Sequence, residues 1–545
     1  MRRALVAGIA VLAALAAAGV AGAAGWQSSV SFTNQVASSP FRAGGYAGYD
    51  PGATAPNPGS CRLGDYNANL SESWIAVKPG TEDLVGTSKV FFEKFSTFYN
   101  FHLGSIAFQK GKPVATNIVQ GYECVSTGTE EMPPSWTNNT DPNVAFDSRG
   151  RAYQVTLPFN AFWANLHPNS NIGIVYSDDL GRTWVKGNGG EPLEHAPNWS
   201  SLSFGFVEDK QWIAVDHFAT SRFRDRVYAA WAVFNGFSTK VKFTFSADRG
   251  ATFARPITLS PPNETGPSNT YVYPAVDAAG NVYVAYVGWV DSPAAQRTET
   301  IFVSKSVNGG RTWGPFVAVA TPGVRAGCCY ANTRFRIGII ESFAASETHP
   351  GHVYLTWEDY DGEQYDVMFA QSIDGGLTWS APAQVNDPDG SDQFQPTVAA
   401  GPNGGVAIAF YDRRLECPAE PGIRPENVGR SNVCVDVTLQ AYRDSGAGAV
   451  PVGGNVRFTK LTWDPEQPAQ TIDGIDQMAC AAHVNPCTTR SFIGDYFGLA
   501  VSAKNVYGFF VSTRYPSAVI GDQGTPVHYQ QQILATASRG ALGIG

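Results

Sequence analysis

The chain has 545 residues, 43% of them hydrophobic and only 16% charged, with 57 Gly and 35 Pro and a formal net charge of −9. That length is too great for one simple core, and the turn-rich, apolar composition excludes a disordered chain. Charges of both signs are spread without long runs, which excludes the basic face that a nucleic-acid partner requires.

The N-terminus, MRRALVAGIAVLAALAAAGVAGAAGW, runs from two arginines through an Ala/Val/Leu stretch to small residues. It reads as a secretory signal peptide over 1–24, with cleavage after Ala23 or Ala24; an uncleaved anchor is the rival reading. The mature chain is expected to be secreted or extracytoplasmic, without stable membrane insertion and monomeric. Residues 25–66 read as an N-terminal extension, rich in Gly, Pro and Ala from 40 to 65, in which SSVSFTN has the pattern of a ring-closing strand. Residues 67–545 form the main domain. Eight cysteines fit an oxidising compartment. Local spacing suggests Cys417 with Cys434, Cys480 with Cys487 and Cys61 with Cys124, which leaves Cys328 and Cys329 as a vicinal bridge or as free thiols. His483, between Cys480 and Cys487, offers zinc only three ligands in all, so a loop disulfide is the better reading there.

Along the main domain the same turn recurs: SDDLGRTW from Ser177, SADRGATF from Ser246, SVNGGRTW from Ser306 and SIDGGLTW from Ser372. Each copy follows a strand-like run such as NIGIVYS or KVKFTFS, and the spacing is roughly 60–70 residues. Upstream in each unit an apolar strand, a Gly/Asp/Asn turn and an aromatic-rich strand recur, as in YPAVDAAGNVYVAYV. Each unit therefore reads as about four antiparallel strands. First strands are expected near Glu72, Asp141, Lys210, Val272, Phe335, Gln395 and Phe492. The fold class is all-β, a β-propeller of four-stranded antiparallel blades, with seven blades favoured and six the alternative. Within the turn, Ser and Asp side chains can bond backbone amides, Gly can take a positive φ, and Trp184, Trp313 and Trp379 have apolar faces to bury. Equivalent positions on separate blades cannot converge on one substrate, so the turn reads as scaffold.

This Ser-x-Asp-x-Gly-x-Thr-Trp pattern resembles the Asp-box, or bacterial neuraminidase repeat, of the sialidase-like superfamily. YDVMFAQSIDGGLTW, SDQFQPTVAAGPNGGVAIAFYDRR and FIGDYFGLAVSAKNVYGFFVSTR are similar to secreted bacterial exo-alpha-sialidase-like proteins. The blade geometry puts strand-1 starts and strand-2 ends around the channel mouth, opposite the repeated turns. Those ends offer Glu72, Asp141, Asp209, Lys210, Arg334, Arg336, Asp495 and Tyr496, with Glu358, Asp359, Asp412, Arg413, Arg414 and Arg514. The resemblance implies a three-arginine clamp on a substrate carboxylate, a tyrosine nucleophile assisted by a glutamate, and an aspartate acid/base. Carried onto this chain, the clamp is Arg336, Arg413 and Arg514. The nucleophile is Tyr496, with Tyr411 second, polarised by Glu358, and the acid/base is Asp209. The nearest match to the family's Phe/Tyr-Arg-Ile-Pro motif is Phe335-Arg336-Ile337-Gly338, without the proline. The implied function is a glycoside hydrolase of exo-alpha-sialidase type acting on a glycan or glycoconjugate; the alternative is a non-catalytic propeller that binds a glycan or protein at the channel mouth. No cofactor is expected. Asp387, Asp389 and Asp392 in NDPDGSDQ read either as an ordinary turn or as a structural calcium loop.

Overall fold

The computed structural model describes residues 26, 29–38, 40–41, 45–46, 69–91, 101–119, 138–159, 170–195, 207–234, 238–291, 297–327, 329–338, 341–466, 470–479 and 491–545. The expected signal segment, Cys61, Cys124, Cys328, Cys480, His483 and Cys487 lie outside them. The described residues are nearly all β, with one four-residue helix at Pro262–Thr265. No helix among them is long and apolar enough to cross a membrane.

The strands form successive antiparallel groups of four. The first sheet takes Leu70–Val77, Leu84–Phe91, Phe101–Gln109 and Lys112–Ile118 in chain order. In the second the inner strand is split into Asn138–Thr140 and Ala145–Phe146, followed by Ala152–Phe159, Asn171–Ser177 and Val185–Lys186. The inner strands of the third to seventh sheets are Val207–Val215, Ser268–Val276, Ser342–Ala345, Gln393–Ala400 and Gly498–Val501. The seventh sheet is completed from the other end of the chain: Phe32–Val36 pairs antiparallel with Gln531–Ser538, Phe32 opposite Ala537. Each inner strand packs against the inner strand of the next sheet, and that of the seventh packs back against the first. Strands buried on both faces carry near-continuous apolar runs, as in VYAAWAVF and VYVAYV, because neighbouring sheets cover both sides. Two expected starts shift: Phe335 and Phe492 precede their inner strands, which begin at Ser342 and Gly498.

The repeated turns fold as their residue types require. In the last copy Ser372 Oγ donates to Asp374 Oδ1 (2.7 Å) and accepts from Gly376 N (2.9 Å), while Thr378 N donates to Asp374 Oδ1 (2.9 Å). Gly376 sits at φ 82°, a left-handed conformation that a side chain would strain. The third copy keeps the same bonds without the charge, since Asn308 Oδ1 accepts from Ser306 Oγ (3.0 Å) and Thr312 N (2.9 Å). Its amide then donates to Thr312 Oγ1 (2.7 Å), where the aspartates accept from a threonine hydroxyl. The glycine of the first copy lies against Val85 of the preceding sheet, and its carbonyl accepts from Ser105 Oγ (2.6 Å). The turns are thus joints between sheets.

On the same face a second repeat joins the sheets. Tyrosines early in the second strands donate to acids that are buried or half-buried: Tyr153 to Asp147 (3.0 Å), Tyr283 to Asp277 (2.9 Å), Tyr507 to Glu82 (2.6 Å), and Tyr354 to Asp444. Several of these acids also hold a neighbouring sheet, as when Asp277 accepts from Gly351 N (2.9 Å). Cys417 and Cys434 form the expected disulfide, closing the loop after the second strand of the sixth sheet. Cys329 is disulfide-bonded, which overturns the free-thiol alternative for that residue.

Candidate functional site

A recurring backbone irregularity builds the mouth of the ring. The inner strands of the first, third, fourth and sixth sheets each carry a bulge, and the bulged residues Glu72, Lys210, Tyr271 and Gln395 have φ between 45° and 53°. Asp141, in the gap of the second sheet's split strand, has φ 55°. Non-glycine residues seldom take this conformation, and a bulge re-aims a side chain that the pleat would otherwise direct elsewhere. Gly494 makes one of these bulges possible: a Cβ on it would stand 2.5 Å from Glu72 N.

Glu72, Asp141, Lys210 and Tyr271 converge, with Lys89, Asp209 and Arg336, on a cavity of about 410 Å³. Lys89 Nζ lies 2.7 Å from Glu72 Oε2. Lys210 Nζ lies 2.7 Å from Asp495 Oδ2 and 3.7 Å from Asp141 Oδ2. Arg336 Nε donates to Asp495 Oδ1 at 2.8 Å, and a second contact between the two groups makes the pair bidentate. Beneath this charged layer Trp74, Trp212, Tyr273 and Tyr496 meet edge to face. Ring centroids are 4.6 Å apart for Trp74–Trp212 and Trp212–Tyr273, and 4.9 Å for Trp212–Tyr496. Trp74, Trp212 and Tyr273 each follow a bulged residue by two positions, so one local geometry sets both layers.

The carboxyls of this layer are driven apart. Burial pushes Glu72 up to about 7, against the pull of Lys89, with Asp141 and Asp495 adding to the rise. Burial also raises Asp209 to about 6, with Lys210 opposing. Asp141 feels the same burial, but Lys210 and Lys89 outweigh it and hold the group below its usual range. Asp495 is buried too, yet Arg336 and Lys210 keep it far below the carboxylate range. A proton-holding carboxyl beside ionised ones is an arrangement suited to acid/base work.

The expected site residues do not assemble as one constellation. Arg336 and Asp209 line the cavity, but Arg413 is fully buried elsewhere, paired with Asp392 (2.9 Å) and bonded to the Ala331 (2.7 Å) and Asn432 carbonyls. Arg514 pairs with Glu420 and the Pro421 carbonyl at a separate groove. The three arginines therefore serve three different carboxylates. Tyr496 lies in the aromatic cluster beneath the charged layer, outside the cavity lining, and donates to the Pro142 carbonyl (3.0 Å), out of contact with Glu358. Burial holds its hydroxyl well above 10, which disfavours a phenolate. Glu358 does meet a tyrosine, but it is Tyr330, whose hydroxyl lies 2.7 and 2.9 Å from its two oxygens. That carboxyl also accepts from Gln395 N (2.8 Å), capping the bulge of the sixth sheet, and burial raises it to about 8. Tyr411 is core, packed against Phe394, Trp463 and Phe497. The calcium alternative loses its ligands to guanidinium groups: Asp387 and Asp389 pair with Arg414 (3.4 and 3.2 Å), and Asp392 with Arg413. Sequence reasoning passed over Lys89, over Tyr271, and over the Trp74, Trp212 and Tyr273 rings that pack with Tyr496. The signal for the last two was present as SESW, DKQW and TYVY at the inner-strand starts.

No protein-family model matches the chain, and no curated protein matches it. Among solved structures, it is similar to a Hadza microbial sialidase (15% identity, TM-score 0.38, 73% of this chain and 68% of that one). It is also similar to a Penicillium chrysogenum alpha-L-arabinanase complexed with arabinobiose (9%, 0.41, 69% and 93%). An ulvan lyase of a polysaccharide lyase family is a third (10%, 0.41, 82% and 92%).

Proposed function

We propose that this chain is an exported seven-bladed β-propeller that takes a glycan into its mouth cavity and hydrolyses it with a carboxyl pair. Glu72 is the proton donor and Asp141 the ionised partner. The observation that carries this reading is the Glu72 carboxyl raised to about 7 beside the depressed Asp141 in one cavity. A general acid works best when its pKa lies near the working pH, and glycoside cleavage commonly uses one protonated and one ionised carboxyl. Tyr271 and Trp289, which line the cavity, supply ring faces for a sugar, above the buried cluster of Trp74, Trp212, Tyr273 and Tyr496. The blade count rests on the strand groups and on the inner strands packing in sequence back to the first.

The exo-alpha-sialidase form of this reading is the narrower one. It needs three arginines on one substrate carboxylate, and the pairing of Arg336, Arg413 and Arg514 with Asp495, Asp392 and Glu420 favours the carboxyl-pair form. A non-catalytic glycan-binding mouth is favoured by one observation, that Lys89, Lys210 and Arg336 are already ion-paired, as in a structural network. Release of a fluorophore from a panel of neutral and anionic glycosides separates these. Turnover abolished by Glu72→Gln supports the hydrolase, while turnover indifferent to that substitution removes Glu72 as the acid. Binding without turnover by the wild type leaves the binding mouth.

A further inference from the structure

The mouth cavity is unevenly supplied with uncommitted hydrogen-bonding capacity. Its cations are spent: Lys89 on Glu72, Lys210 on Asp495 and Asp141, Arg336 on both oxygens of Asp495. Three of its oxygens are not. Glu72 Oε1, Asp141 Oδ2 and Thr270 Oγ1 belong to residues lining the cavity, are buried, and have no hydrogen-bond partner among the described residues; Asp141 Oδ2 has the 3.7 Å contact with Lys210. These residues are 1%, 3% and 1% exposed, so water does not freely satisfy them. Polar atoms buried in this way are costly unless a partner arrives, and a bound ligand is one source of that partner.

We infer that the ligand of this cavity is a neutral sugar unit whose hydroxyl groups meet Glu72, Asp141 and Thr270, and not a sugar bearing a carboxylate, sulfate or other anion. The inference rests on the cavity being a glycan site. Five carboxyl groups stand against three cations: Glu72, Asp141, Glu208 and Asp209 line the space with Lys89, Lys210 and Arg336, and Asp495 pairs with Lys210 and Arg336 at its edge. An anionic sugar would have to take Lys210 or Arg336 from a buried aspartate and leave that aspartate uncompensated, which is strongly unfavourable. A neutral hydroxyl both donates and accepts, so it can satisfy the free Asp141 oxygen and the Thr270 hydroxyl without disturbing any ion pair. The half-buried Tyr271 and Trp289 rings add apolar faces for the C–H side of a sugar.

The test is binding of the full chain to an array of neutral and anionic oligosaccharides, followed by titration calorimetry with the strongest member of each class. A neutral oligosaccharide should bind, and Asp141→Asn and Thr270→Val should each weaken it about tenfold, the loss expected for one hydrogen bond to a buried polar group. Thr270→Val is nearly isosteric, and equal melting temperatures would show that it folds. Preferential binding of an anionic oligosaccharide that both substitutions weaken would overturn the neutral-sugar inference and leave the glycan site standing. Absence of binding to either class, or neutral binding untouched by both substitutions, would overturn the site together with the inference.

Discussion

Replacing Asp374 by alanine tests whether the repeated turn is a structural joint. The substitution removes the bonds that Asp374 Oδ1 accepts from Ser372 Oγ (2.7 Å), Leu377 N (3.1 Å) and Thr378 N (2.9 Å), and the one Oδ2 accepts from Thr378 Oγ1 (2.5 Å). Asp374 is exposed, so the released amides regain water and each bond contributes well below its buried value. A total cost of roughly 1–2 kcal/mol follows. With a urea slope of about 3 kcal/mol/M, the unfolding midpoint falls by roughly 0.5 M. The carboxyl also fixes the sign of the pH dependence. The small burial of Asp374 raises its pKa, but the hydroxyl and amide bonds from Thr378 outweigh it and bring the group from 3.8 down to about 2. Its contribution is therefore present above 3.8 and lost as the pH falls through about 2, so the gap between wild type and Asp374→Ala narrows on acidification. Asp374→Asn should cost no more than about 0.5 kcal/mol and remove the acid dependence, because Asn308 already makes the equivalent bonds. Urea unfolding followed by tryptophan fluorescence near neutrality and at about pH 3 reads both effects. An unshifted Asp374→Ala midpoint, or an Asp374→Asn as unstable as the alanine variant, would refute the reasoning.

Tyr354→Phe should lower stability by about 1 kcal/mol by deleting the bond to Asp444, whereas Tyr228→Phe should be neutral within about 0.5 kcal/mol because the Tyr228 hydroxyl is buried without a partner. Urea midpoints of the two variants give the comparison, and equal losses would contradict it. Glu72 has a folded pKa raised from 4.5 to about 7, so its contribution is full below 4.5 and is lost as the pH rises through about 7. Stability profiles should therefore show Glu72→Gln gaining on the wild type over that interval, and parallel profiles would contradict the raised value. Arg413→Met should cost about 3–5 kcal/mol by leaving Asp392 buried without its cation, seen as a lowered melting temperature and soluble yield. Oligosaccharide binding by the folded fraction should be unchanged, and its specific loss would return Arg413 to the site.

The sheets were legible because each repeated turn solves a local problem with local residues. Ser, Asp, Gly and Thr at fixed offsets close the same bonds wherever they occur, and alternating or continuous apolar runs mark the strands between them. The fifth inner strand was misplaced because Phe335 looks like a strand start. Its ring instead packs on Tyr330 and Phe394, while Arg336 bridges to Cys329 in a loop ahead of the strand. The mouth was legible in outline, since Glu72, Asp141, Asp209, Lys210, Arg336 and Asp495 stand near inner-strand starts. The clamp was not, because position at a strand end does not say which carboxylate an arginine meets. Arg413 and Arg514 find partners in loops, at Asp392, Asn432 and Glu420, and those loops have no periodic signature. Lys89 lies within a second strand, where nothing in the sequence distinguishes a cavity cation from a solvated one.

The pairing of Phe32–Val36 with Gln531–Ser538 ties the start of the described chain to its far end. During synthesis the early strand must wait, its edge unpaired, until nearly everything between has been delivered. Closing so long a loop is entropically slow, and an open edge is a place where other chains can add. The same join makes the finished ring hard to fray, because neither end can peel away without breaking a sheet that the other end shares. Folding of this chain is therefore gated by its final strand, and a chain interrupted before Gln531 would be left as an open, adhesive arc in place of a ring.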